Sequence, residues 1–177
     1  MAKAVRTPSP GMSYITTATR DRRPIFEISR VAELFIETLL HYRTLGHYKL
    51  HAYVVMPDHV HLVVTPQCIT LDQAVGLIKN GFAYRLDTTP PVWEDTFTGY
   101  SIANNHDLEI VRAHLHQLPV RANLAPAAEL YPHSSAYRQA VLTPSASASS
   151  SAQKSPRMSV VASATSLRKL TSLSGAI

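Results

Sequence analysis

The segment Val54-Val55-Met56-Pro57-Asp58-His59-Val60-His61-Leu62-Val63-Val64-Thr65-Pro66 decides the fold. Two runs rich in valine flank Pro57-Asp58, the composition of two strands joined by a tight turn. Side chains in a strand alternate between faces, so His59 and His61 project to one side while Val60 and Leu62 point to the other. Two imidazoles held side by side on a strand supply half of a metal site. The same spacing also suits two rings that only satisfy backbone carbonyls, and spacing alone leaves both readings open.

Outward from this hairpin, strand-like and helix-like patterns alternate. Residues 13–19 are β-branched and aromatic, which predicts a first strand. Residues 28–44 place Ile28, Val31, Leu34, Phe35, Thr38, Leu39 and Tyr42 at three-to-four spacing, which predicts an amphipathic helix ended by Gly46. The hairpin itself spans 48–56 and 59–65. Residues 70–86 repeat the helical pattern, with Leu71, Ala74, Val75, Ile78, Phe82 and Leu86 facing inward. Pro90-Pro91 breaks the chain, and 92–102 reads as one extended strand carrying Trp93 and Phe97. Asp107 is expected to cap a third helix that runs to about residue 117, where Pro119 limits it. The order β-α-β-β-α-β-α is the split βαβ pattern. The expected class is therefore α+β, a ferredoxin-like antiparallel sheet with helices on one face.

A chain of 177 residues suits one domain, placed at 12–139, followed by a tail at 140–177. The tail holds 11 serines and no aromatic residue, and its composition cannot bury enough apolar area to order it, so it is expected to be a disordered basic tail. Its four cations, Lys154, Arg157, Arg168 and Lys169, have no acid beside them, whereas residues 1–139 carry 13 basic against 12 acidic side chains, a balance of +1. The overall charge of +5 is thus largely a tail property and is no proof of a nucleic-acid surface on the domain. No apolar run is long enough to span a bilayer, and the N-terminus lacks a secretory pattern. A single cysteine, Cys68, excludes an internal disulfide and a Cys-rich zinc module; it suits a reducing cytoplasm.

These residues resemble a known family, the single-tyrosine, single-strand DNA transposases with the His-hydrophobic-His (HUH) motif, and most closely their REP-associated tyrosine transposase branch. The resemblance covers roughly residues 12–138. It rests on Thr19-Arg20-Asp21-Arg22-Arg23-Pro24-Ile25-Phe26, on Val54 to Val64 as quoted, and on Leu77-Ile78-Lys79 and Val92-Trp93. It continues through Leu115-His116-Gln117-Leu118-Pro119-Val120-Arg121-Ala122-Asn123-Leu124 to Tyr131-Pro132-His133-Ser134-Ser135-Ala136-Tyr137. What the resemblance implies is a mobile-element protein acting on single-stranded or hairpin DNA. His59 and His61 would hold a divalent cation, magnesium or manganese. A tyrosine on the last helix would cleave the strand as an endonuclease, leaving a phosphotyrosine, and rejoin it. The family includes dimers and monomers, so a homodimer stays open.

The sequence departs from that pattern at the chemistry. Aligned on Pro119-Val120-Arg121, the family's tyrosine falls at His114 and its asparagine ligand at Leu118. No tyrosine lies between Tyr100 and Tyr131. Three readings follow. In the first, a transposase keeps its nucleophile elsewhere, at Tyr84, Tyr100 or Tyr131. In the second, a catalytically degenerate relative binds DNA without cutting it. In the third, His114 joins His59 and His61 as a third imidazole, with Gln117 beside it, which biases the site toward zinc and a hydrolytic nuclease. Outside the family, a non-catalytic metal-binding or regulatory module also fits. For DNA contact the expected residues are Arg20, Arg22 and Arg23 in the loop after the first strand, Lys79 on the second helix and Arg121 near the third. Trp93 and Phe97 are candidates for base stacking.

Overall fold

The computed structural model describes residues 11–89 and 91–142. A four-stranded antiparallel sheet is built from β1 (Met12–Ala18), β2 (Tyr48–Val55), β3 (His59–Pro66) and β4 (Thr98–Ile102), in the spatial order β2-β3-β1-β4. With α1 (Ser29–Thr44) after β1 and α2 (Leu71–Leu86) after β3, this is the ferredoxin-like arrangement expected. The helix α3 (Asn105–Arg121) follows β4, and α4 (Ser135–Leu142) ends the described region. The expected tail lies outside the described residues from position 143 onward.

Strand alternation sorts the core into two layers. Ile15, Tyr53, Val55, Val60, Leu62 and Val64 face α1 and α2, where Phe26, Phe35, Phe82 and Trp93 interlock with ring centroids 5.3–5.8 Å apart. Such offset and edge-on aromatic packing adds to simple area burial. The opposite face carries Ala52, Val54 and Val63, and α3 covers it with Leu108, Val111, Leu115 and Leu118 at helical spacing. Helices α1 and α2 therefore share one face, and α3 adds a layer on the other.

Two local expectations are corrected. The strand expected over 92–102 forms only at Thr98–Ile102, because the preceding backbone is held by other partners: Arg20 N–H donates to the Val92 carbonyl and Glu94 N–H to the Ala18 carbonyl. Trp93 makes only an isolated bridge to Thr19. Helix α3 is capped by Asn104, whose side chain accepts from Asp107 N–H, and it runs through Pro119 to Arg121. Proline removes one N–H bond to the preceding turn and its ring crowds the carbonyl four residues back, a disruption confined here to the last turn of the helix.

The segment before α4 closes an exposed edge. β2 lies at the sheet margin, where unpaired backbone groups invite aggregation. Val55 N–H donates to the His133 carbonyl, Tyr53 N–H to Ser135 Oγ, and the Tyr131 hydroxyl to the Val55 carbonyl at 2.7 Å. No described helix is long and apolar enough to cross a membrane.

Candidate nucleic-acid and metal site

The Pro57-Asp58 turn starts β3 and is fixed by neighbours. Phe26 N–H donates to the Pro57 carbonyl, and Thr19 N–H to the Asp58 carbonyl at 2.9 Å. The Thr19 hydroxyl lies 2.7 Å from the Arg23 carbonyl and 2.9 Å from that of Asp58, and its one proton serves one of them at a time. His59 and His61 then project to the α3 face with ring centroids 4.8 Å apart. The antiparallel register sets Thr16 opposite His61 and Ala18 opposite His59.

Each imidazole is held through Nδ1. His59 Nδ1 sits 2.5 Å from Asp58 Oδ1, while His61 Nδ1 lies 2.6 Å from the Tyr14 hydroxyl and 2.9 Å from Thr16 Oγ1. Nε2 of each ring has no hydrogen-bond partner among the described residues. A carboxylate behind Nδ1 sets both tautomer and angle of His59 for a ligand at Nε2, while the hydroxyls behind His61 fix its angle and can donate to or accept from Nδ1. Tyr14, Thr16 and Asp58 were not foreseen as anchors. Their alternation on β1 was visible in sequence, but the register that brings β1 beside His61 was not.

Electrostatics keep the His61 ring neutral. Burial drives the His61 pKa down to about 3, helped by the charges of His59, His114 and Arg22 and opposed by Asp58. Burial raises the Asp58 carboxyl, but the hydrogen bond and charge of His59, with Arg22, outweigh it and leave the pKa below the usual value. The Tyr14 phenol is raised by desolvation, which a hydrogen bond from Thr16 partly offsets.

The other expected residues separate into two groups. Arg22 reaches Asp58 Oδ2 at 3.3 Å and stays largely exposed; Asp21 and Arg22 both hold left-handed backbone, with φ of 57° and 53°. Two consecutive non-glycine residues in that region are strained, and such strain gathers at functional loops. Arg121 donates to His114 Nδ1 at 3.3 Å, on the helix facing the histidine pair. By contrast, Arg20 pairs with Asp95, and Arg23 donates to the Arg20 and Pro91 carbonyls. Lys79 donates to the Glu94 carbonyl, and desolvation lowers its pKa. These three close the loop–strand junction. Trp93 is buried with its indole N–H on the Lys79 carbonyl, so it is no stacking surface; Phe97 packs on the same core.

His114 is exposed on α3, and Leu118 packs into the apolar layer below it. Among the described residues no group of three or more His, Cys, Asp or Glu side chains is drawn together to hold a metal. Of the alternative nucleophiles, Tyr131 is buried with its hydroxyl on Val55, Tyr84 stands exposed on α2, beyond the other face of the sheet, and Tyr100 stands exposed on the histidine side, separated from His61 by Tyr14.

A family model described as "Transposase IS200 like" matches residues 12–117. Among solved structures, a REP-associated tyrosine transposase bound to a REP hairpin aligns with a TM-score of 0.66 at 19% identity, over 80% of this chain and 86% of that one. A candidate transposase of Deinococcus radiodurans R1 aligns with a TM-score of 0.47 at 20% identity, over 66% of this chain and 98% of that one. No curated protein matches.

Proposed function

The chain belongs to the IS200-like transposase family, and from that premise we propose that it binds single-stranded or hairpin DNA across the sheet face bearing His59 and His61. A phosphate of the strand sits at this pair, where Nε2 of each ring would hold a divalent cation. The donor set fits such an ion: two imidazoles on one strand face, each oriented from behind by an oxygen, with Arg22 alongside. When bound, the cation supplies Lewis-acid polarisation of the phosphate. Two nitrogen ligands leave magnesium, manganese and zinc all eligible.

The residues themselves do the rest. Asp58 and Tyr14 fix the ring orientations, Arg22 meets the backbone, and Arg121 turns His114 toward the same face. The nucleophile is what is missing: α3 carries no tyrosine, and His114 stands at the position the resemblance assigns to it. The protein therefore binds and positions DNA without forming a lasting phosphotyrosine link. The observation that carries this reading is the paired imidazoles, both anchored through Nδ1. A second reading, a three-imidazole hydrolase, would need His114 to close on the pair from α3, since no such trio is assembled among the described residues.

One assay separates them. End-labelled single-stranded hairpin DNA is incubated with the protein and manganese or zinc, then run on native and denaturing gels. Retarded mobility with intact, unlinked DNA is the expected result. A covalent band would restore a tyrosine nucleophile, and cleavage without an adduct would favour the hydrolase. No retardation at all would leave a metal-binding module without a DNA role.

A further inference from the structure

We propose that Tyr100, backed by Tyr14, is a stacking platform for an unpaired nucleobase adjoining the phosphate at the histidine pair. The proposal rests on the DNA-binding reading above and names the part of the strand that this corner of the sheet receives.

The register produces the arrangement. Tyr14 lies opposite Tyr100 across β1 and β4, and Thr16 opposite His61 across β1 and β3. Residues two apart share a face, so Tyr100, Tyr14, Thr16 and His61 all point to the α3 side. The rings run as a row: Tyr100 stacks on Tyr14 at 4.9 Å and 26°, and Tyr14 leads to His61 at 5.7 Å with its hydroxyl on Nδ1. Gly99 permits this approach, since a Cβ there would come 2.6 Å from the Tyr14 carbonyl oxygen.

Among the described residues, the outer surface of Tyr100 stands largely open. Its side chain is 54% exposed on an edge strand whose residues Thr98 to Ser101 are all exposed. An open aromatic surface, held rigid from behind, is what unpaired bases stack on, and it accepts any base because each has a π-face. Charge selects the occupant. Arg22 lies beside the neighbouring pair, Arg121 is bonded to His114 on the helix over that face, and the Asp58 carboxylate is already engaged by His59 and Arg22. A cationic rim beside an aromatic shelf fits an anionic chain of planar rings.

The test uses the full chain and two 12-nucleotide probes, oligo-dT and its abasic counterpart, measured by fluorescence anisotropy. Wild-type protein is expected to prefer oligo-dT. Tyr100→Thr, which keeps strand propensity, should weaken oligo-dT binding about tenfold and leave the abasic probe unchanged. Tyr100→Phe should bind as wild type. Tyr84→Thr, which removes a more exposed tyrosine from the opposite layer, should also bind as wild type. Unchanged oligo-dT affinity in Tyr100→Thr overturns the platform and leaves the DNA reading intact; so does an equal loss on both probes, which marks a structural effect. Wild-type protein that binds neither probe nor the hairpin ends both.

Discussion

At the scale of single residues, the site is governed by what stands behind each imidazole. Asp58 holds His59 by a carboxylate, and outer partners of this kind set a ligand's basicity as well as its angle. Asp58→Asn keeps the shape of the turn but removes the charge, so manganese affinity measured by calorimetry should fall roughly 10- to 100-fold. Equal affinity in the variant would detach Asp58 from the site. His61 makes a second prediction, about acid. Its folded pKa, about 3, lies below the ordinary 6.5, so between those values the unfolded chain binds more protons than the native one. Stability is then full above about pH 6.5 and lost as pH falls toward 3, by a few kcal/mol at most for this ring. His51, His116 and His133 are lowered too and act in the same direction. Urea midpoints of the metal-free protein should fall between pH 7 and pH 4, and His61→Asn should flatten part of that slope. A slope identical to wild type would show that His61 titrates normally.

At the scale of elements, local pattern was sufficient where an element's partners are set by its own periodicity. The hairpin, α1 and α2 were legible because their alternation or three-to-four spacing runs from end to end. The 92–97 segment misled because its aromatic residues look strand-like while its backbone bonds to the end of β1 instead. The strip from Tyr131 to Ser135 gave no periodic signal at all, since its role is to meet groups on β2 some 76 to 82 residues earlier. The candidate site divides the same way. The shared face of His59 and His61 follows from spacing, whereas Tyr14 and Thr16 join it only through the pairing of β1 with β3. The edge strip can be tested directly. Tyr131→Phe leaves the ring and removes the donor to the buried Val55 carbonyl, so it should cost about 1–2 kcal/mol in urea unfolding. No measurable loss would mean that another donor reaches that carbonyl.

At the scale of the whole molecule, charge is local rather than global. The span 1–139 is nearly balanced, and many of its cations are tied into the fold: Arg85 to Glu37, Arg112 to Glu109, Arg20 to Asp95, Lys79 and Arg23 to carbonyl oxygens. On the proposed sheet face, attraction for a phosphate chain then rests on the cations beside the histidine pair, Arg22 first among them. Binding to a polyanion releases counterions, so the slope of log affinity against log salt counts the phosphates neutralised, about 0.7 for each on a single strand. Arg22→Ala should therefore shallow the slope by about 0.7 with little change in folding stability, because the side chain is exposed and its ion pair with Asp58 is long. Arg20→Ala should do the reverse: its guanidinium bridges the loop to Asp95, so its loss should loosen the 20–23 loop and leave the slope unaltered. Anisotropy titrations on oligo-dT across a salt series, paired with urea melts of both variants, measure the two effects separately. If Arg20→Ala shallows the slope and Arg22→Ala does not, the strand runs on the far side of the loop, and the sheet face is not its track.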